Sequence, residues 1–146
     1  MSTTISPLPT YIIGTLCIAL GVNGFTSPEK EYPRFGLPLE PPAPESASSR
    51  TSTLNANTTA QLRGTVSPLI YIKCVREITY GLALIALQYQ GQEKATTTLA
   101  GVISLAGLGD GFVVWIFGGE RIGTAINHWG TFIALAGWAF WRSRFD

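Results

Sequence analysis

Apolar residues along this chain gather into four blocks, separated by two short turns and one long polar connection, and each block is long enough to cross a bilayer as a helix. The first runs from about Leu8 to Gly24 after Ser6-Pro7, a helix-start signal. No Lys or Arg precedes it and Asn23-Gly24-Phe25 is a poor cleavage site, so it reads as a retained helix, not a signal peptide. The second block spans Pro68 to Gln90, about 23 residues, enough to cross ~30 Å with some tilt. Thr96 to Gly118 forms the third. The fourth, Ile122 to Trp141, ends in Arg142 and Arg144 beside Trp138 and Trp141, the pattern of an interfacial anchor. Gln88 to Ala95 and Gly118 to Arg121 are short turns, which makes the last three helices antiparallel neighbours. The long connection, residues 26–67, holds Pro28, Pro33, Pro38, Pro41, Pro42 and Pro44 in its first half. Its second half, Ser46 to Thr59, is a Ser/Thr/Asn/Ala tract, and neither half is assigned regular structure. The expected fold class is all-α: an antiparallel four-helix transmembrane bundle, a single domain over residues 1–146, with a long, partly disordered loop between helices one and two.

Three of the blocks carry ionisable groups at depths that lipid penalises by about 2.5 kcal/mol or more each: Arg76 with Glu77, Asp110, and His128. The helices alternate in direction, so the start of the second, the end of the third and the start of the fourth share one membrane face. At ~1.5 Å per residue Arg76 and Asp110 lie roughly 12 Å, and His128 roughly 9 Å, below that face, which puts them in one layer. Lys73, Arg76, Glu77 and Tyr80 form one stripe by their spacing of three and four; His128, Thr131, Leu135 and Trp138 form another, with Asn127 beside it. Asn23 and Asn127 fall nearer the same mouth. Gly107 and Gly111 make a small-x-x-x-small pair that lets a neighbouring helix approach beside Asp110. Duller readings exist for each. Arg76 with Asp110 or Glu77 could be an ion pair that fixes helix register, Lys73 could snorkel to the interface, and Glu120-Arg121 reads as a solvated pair at the rim.

Composition narrows the chemistry. With 46% hydrophobic and 13% charged residues and a formal net charge of +1, the chain has no basic stripe for nucleic acid. Cys17 and Cys74 both fall in apolar segments and read as small hydrophobic side chains. No Walker loop, dinucleotide fingerprint, nucleophile elbow or zinc spacing occurs, so no cofactor is expected. One histidine without an i,i+4 partner, beside Arg76, argues against a metal held by Glu77, Asp110 and His128. The absence of internal repeats argues against a monomeric transporter, while a homo-oligomer stays open.

The order of several short motifs carries a resemblance: Gly21-Val22-Asn23-Gly24-Phe25, then Pro33-Arg34-Phe35-Gly36-Leu37-Pro38, then Arg76-Glu77 followed by Gly81, then Gly109-Asp110-Gly111, then His128 two residues before Gly130. Over nearly its whole length the chain resembles the fungal small four-helix membrane proteins catalogued as a domain of unknown function, four-two-six-seven. The family more often has Asp where this chain has Glu77, and the tract before Gln61 is longer here. The resemblance implies an accessory protein of a natural-product pathway. By analogy it implies a membrane-embedded hydrolase or cyclase that opens epoxides on a lipophilic polyene polyketide, with a flavin monooxygenase and a polyketide synthase as pathway partners.

The residues suit that chemistry, which needs an activated nucleophile on one side and a proton donor at the departing oxygen on the other. Asp110 would act as general base with Arg76 holding it, and His128 or Tyr80 would donate. Glu77 would hold the donor's protonation state or, kept neutral by its apolar setting, serve as the acid, so that the assignments exchange. Lys73, Asn23, Asn127, Thr131 and Trp138 are the candidate substrate contacts. Competing expectations are an isomerase or cyclase that uses no epoxide, and a non-catalytic scaffold that docks pathway enzymes through residues 26–67. Arg142 and Arg144 favour a cytosolic C-terminus, and the sequon Asn57-Thr58-Thr59 fits a luminal loop, which suggests the endoplasmic reticulum membrane.

Overall fold

The computed structural model describes residues 6–40 and 66–145, and among them five helices: α1 (Leu8–Thr26), α2 (Pro28–Phe35), α3 (Leu69–Tyr89), α4 (Glu93–Phe117) and α5 (Ile122–Arg142). The four long helices coincide with the apolar blocks, with ends shifted by up to three residues. The tract 46–59 and its sequon lie outside the described residues.

The short α2 falls in the proline-rich segment, where the sequence pattern predicts no regular structure. Ser27-Pro28-Glu29 starts it: a proline in the first turn loses no needed bond, and Glu29 and Glu31 complement the positive end of the helix. Gly36 ends it in the left-handed region at φ 104°, with its N–H donating to the Tyr32 carbonyl. Eight residues do not hold a helix alone in water. Tertiary contact holds this one, because Glu31, Tyr32 and Phe35 are buried and the Tyr32 hydroxyl accepts the Ser67 N–H at 2.8 Å. A Cβ added to Gly36 would stand 2.7 Å from Val114 Cγ1 and 2.8 Å from Thr124 Cγ2. Gly36→Ala is therefore expected to cost about 1–3 kcal/mol. The loss would appear as a lower thermal midpoint and faster proteolysis near α2; an unchanged midpoint and cleavage rate would show that the turn tolerates a side chain.

The long helices pack as two close pairs, α1 with α3 and α4 with α5, while α3 and α4 touch more sparsely. Glycine sets the closeness of both pairs. On α1, a Cβ at Gly21 would lie 2.7 Å from the Cys74 carbonyl, and one at Gly14 2.9 Å from the Gly81 carbonyl. On α4, Gly107 faces the His128 carbonyl and Gly111 faces the Trp129 indole, the approach expected from their spacing. Leu84, Ala100, Ile103 and Ala139 pack one end of the bundle; Phe35, Val114 and Ala125 pack the other.

The apolar surface points outward. Ile12, Leu105, Trp115, Ile116, Ile133 and Phe140 are all exposed, whereas Thr10, Gln88, Thr96 and Ser104 are buried. Among the described residues two helices, α1 and α4, are long and apolar enough to cross a membrane.

Three expectations are corrected. Arg142 is not an interfacial anchor: it is fully buried at the end of the bundle opposite α2, donating to Thr10 Oγ1 at 2.8 Å and Gln88 Oε1 at 3.2 Å and pairing with Glu93. Polar groups at the ends of α1, α3 and α4 meet there and hold the two terminal nitrogens of the guanidinium inside the protein. Arg121 is not simply solvated, because its guanidinium donates to the Pro33 carbonyl at 3.2 Å and clamps the end of α2. Lys73 does not snorkel, since two carboxylates draw its ammonium inward.

Candidate functional site

A cavity of about 540 Å³ opens where the two helix pairs diverge, within the size range of small-molecule sites. Ile13, Leu16 and Leu20 of α1, Ile103 of α4, and Leu135 and Trp138 of α5 wall it with apolar surface. Arg76, Glu77, Tyr80, Lys73, Asp110, His128, Thr131 and Trp138, expected from the sequence to converge, all line it. Asn23 and Asn127 do not. Both are exposed, Asn127 about 100° around α5 from His128, and Asn23 above Leu20 where α2 closes the cavity instead of α1.

Arg76 Nη2 donates to Asp110 Oδ2 at 2.7 Å and so bridges α3 and α4 where their packing is sparse. Asp110 Oδ1 has no hydrogen bond among the described residues. Lys73 Nζ donates to Glu77 Oε1 at 2.6 Å and to Glu31 Oε1 at 2.8 Å, and stands 5.1 Å from the centre of the Phe35 ring. Glu77 Oε2 is buried and unpartnered among the described residues. Arg34 completes this network by pairing with Glu31.

His128 Nε2–H donates to the Phe35 carbonyl at 2.9 Å, and the two rings pack with centroids 4.9 Å apart. That bond commits one ring nitrogen to holding α2 against α5. A neutral imidazole then keeps only an acceptor at Nδ1. The Tyr80 hydroxyl, by contrast, has no hydrogen bond among the described residues. Thr131 Oγ1 donates back to the Asn127 carbonyl at 3.0 Å.

Glu31, Arg34 and Phe35 also line the cavity and were not singled out as site residues. Glu31 is only 2% exposed. Its signal lay in the sequence: Ser27-Pro28-Glu29 opens a helix, and Glu31, Arg34 and Phe35 then share a face by their spacing of three and four.

A helical bundle with an outward apolar surface and a half-buried layer of charge around one cavity defines the class. The family model described as Domain of unknown function (DUF4267) matches residues 14–142, and the chain belongs to that family. The match begins at Gly14, one of the α1 glycines that face α3, and ends on buried Arg142, so it takes in every lining residue except Ile13. No curated protein and no solved structure matches the chain.

Proposed function

We propose that this protein is a cofactor-independent enzyme embedded in the membrane, the endoplasmic reticulum in a eukaryotic cell, that opens an epoxide on a lipophilic polyene by acid/base chemistry. All four long helices are spans in this reading. α3 and α5 are less apolar than α1 and α4 because they turn Lys73, Arg76, Glu77 and His128 inward, while their outer faces carry Ile72, Val75, Leu82, Ile126, Ile133 and Phe140. The epoxide enters by analogy with natural-product pathways and is part of the proposal.

The observation that carries the reading is a carboxylate oriented by a guanidinium, with one oxygen unengaged, in the same apolar-walled cavity as an unengaged phenol. Asp110 Oδ1 takes a proton from water or from a substrate hydroxyl, and the oxygen of that water or hydroxyl attacks an epoxide carbon. The carbon–oxygen bond breaks, and the Tyr80 hydroxyl protonates the departing oxygen; the proton on Asp110 then returns to the phenolate and restores both groups. His128 holds α2 over the site through its bond to the Phe35 carbonyl.

Membranes containing the protein and given an epoxidised polyene are expected to yield a diol heavier by one water, or a cyclic ether of unchanged mass if a substrate hydroxyl attacks. Conversion no faster than in membranes without the protein would reject the reading. A product formed equally well from the polyene lacking the epoxide would favour an isomerase instead.

A further inference from the structure

The charges lining the cavity cancel. Arg34, Lys73 and Arg76 stand against Glu31, Glu77 and Asp110, and every cation already has a carboxylate partner. An anionic occupant would find no uncommitted cation, and burying an unpaired charge is costly. Below this layer the walls are Ile13, Ile103, Leu135 and Trp138.

Exposure around the cavity is uneven. The residues that line it from α3 and α4 are all buried or half-buried. The exposed lining residues are Leu16 and Leu20 on α1, Thr131 and Ala134 on α5, and Arg34, whose guanidinium is held by Glu31. Leu16 and Leu20 are 56% and 42% exposed although they wall the cavity, so the wall is open on their side. α1 and α5 pack sparsely, and the Arg142–Thr10 bond joins them at the end remote from α2. The opposite mouth lies under α2, held by Tyr32, Arg121 and His128.

We infer that the cavity takes an uncharged, elongated lipophile and admits it sideways from the bilayer, through a slot between α1 and α5 framed by Leu16, Leu20, Thr131 and Ala134. The inference rests on the proposed reading of four membrane spans. It gives the substrate class, a neutral chain or ring system lacking a carboxylate or phosphate, and it makes Leu20 and Ala134 residues that set which lipophiles pass. Resident neutral lipids and a pathway polyene share this chemistry.

The test is photolabelling of the full chain in nanodiscs, with a long-chain alcohol bearing a mid-chain diazirine and with the matching carboxylic acid at mildly alkaline pH. The alcohol is expected to label the lining segments of α1 and α5, and the acid to label them less by more than about tenfold. Leu20→Trp and Ala134→Trp, both at exposed positions, are expected to cut alcohol labelling several-fold without moving the thermal midpoint. Competition by diacylglycerol would assign the slot to bilayer lipid, and competition by the polyene alone would assign it to the pathway compound. Equal labelling by the acid, labelling indifferent to both tryptophans, or competition by neither lipophile would overturn the inference. Labelling reports binding, so labelling without epoxide conversion would sink only the enzyme reading. Conversion with labelling unaffected by the tryptophans would sink only the slot.

Discussion

Asp110→Asn is expected to lower epoxide turnover by about 10²–10⁴-fold, the usual contribution of a positioned acid or base, while the protein stays folded. The substitution keeps the size of the side chain and leaves an oxygen to accept from Arg76 across 2.7 Å, so the bridge between α3 and α4 survives as a hydrogen bond. What disappears is the basicity of the second oxygen. Arg76→Ala acts differently, because it leaves the carboxylate in place but removes the group that orients it; a smaller loss of turnover is expected, with a larger loss of stability. Tyr80→Phe removes the donor without touching the ion pair and is expected to fall toward the lower end of the same range. The measurement is turnover per folded molecule, with the folded fraction taken from the thermal transition in the same preparation. If the pair merely fixes helix register, Asp110→Asn will lower the midpoint and the yield while each surviving molecule turns over at the wild-type rate. That outcome would remove Asp110 from the chemistry.

The convergence of these groups was legible because long apolar helices leave few places for charge. Once the blocks around Arg76, Asp110 and His128 are read as helices of alternating direction, their shared depth follows from the rise per residue, and the spacing of three and four puts Tyr80 and Trp138 on the same stripes. Gly107 and Gly111 were readable for the same reason. Less was legible where a segment owes its structure to distant contacts. α2 is too short to declare itself by periodicity, and its prolines mask a start signal at Ser27-Pro28 and a stop at Gly36. Its Glu31 therefore went unassigned, although it completes the Lys73 network. Lys73 and Arg142 show the converse failure. A long cationic side chain near a helix end has two outlets, the interface or a buried acceptor set, and only the tertiary arrangement shows which is present. Asn127 was misplaced by a smaller step, one residue around the helix from a residue that does face the cavity.

Removal of Arg142 is expected to give the largest loss of stability of any single substitution in this chain. Its side chain is 0% exposed and ties α5 to α1 through Thr10, to α3 through Gln88 and to α4 through Glu93, where Gln88 Nε2 also donates to Glu93 Oε1 at 2.7 Å. The ring of Trp138, which floors the cavity, lies 5.4 Å from the guanidinium carbon. Arg142→Ala deletes these bonds and leaves a cavity in their place, so a cost of about 3–5 kcal/mol is expected. The thermal midpoint should fall by on the order of 10 °C. Arg142→Lys is expected to recover little of the loss, because one ammonium cannot reproduce a planar fork that reaches three helices at once. Glu93→Gln should cost less, since Glu93 is 41% exposed and the guanidinium keeps Thr10 and Gln88. The ranking Arg142→Ala, then Arg142→Lys, then Glu93→Gln is the signature of a knot that holds four helix ends together; equal midpoints for all three would show that the end of the bundle is held by its apolar packing instead. Because α1 and α5 are otherwise loosely joined, the alanine variant should also widen the slot beside Leu20 and raise labelling by the uncharged probe even at temperatures where the helices persist.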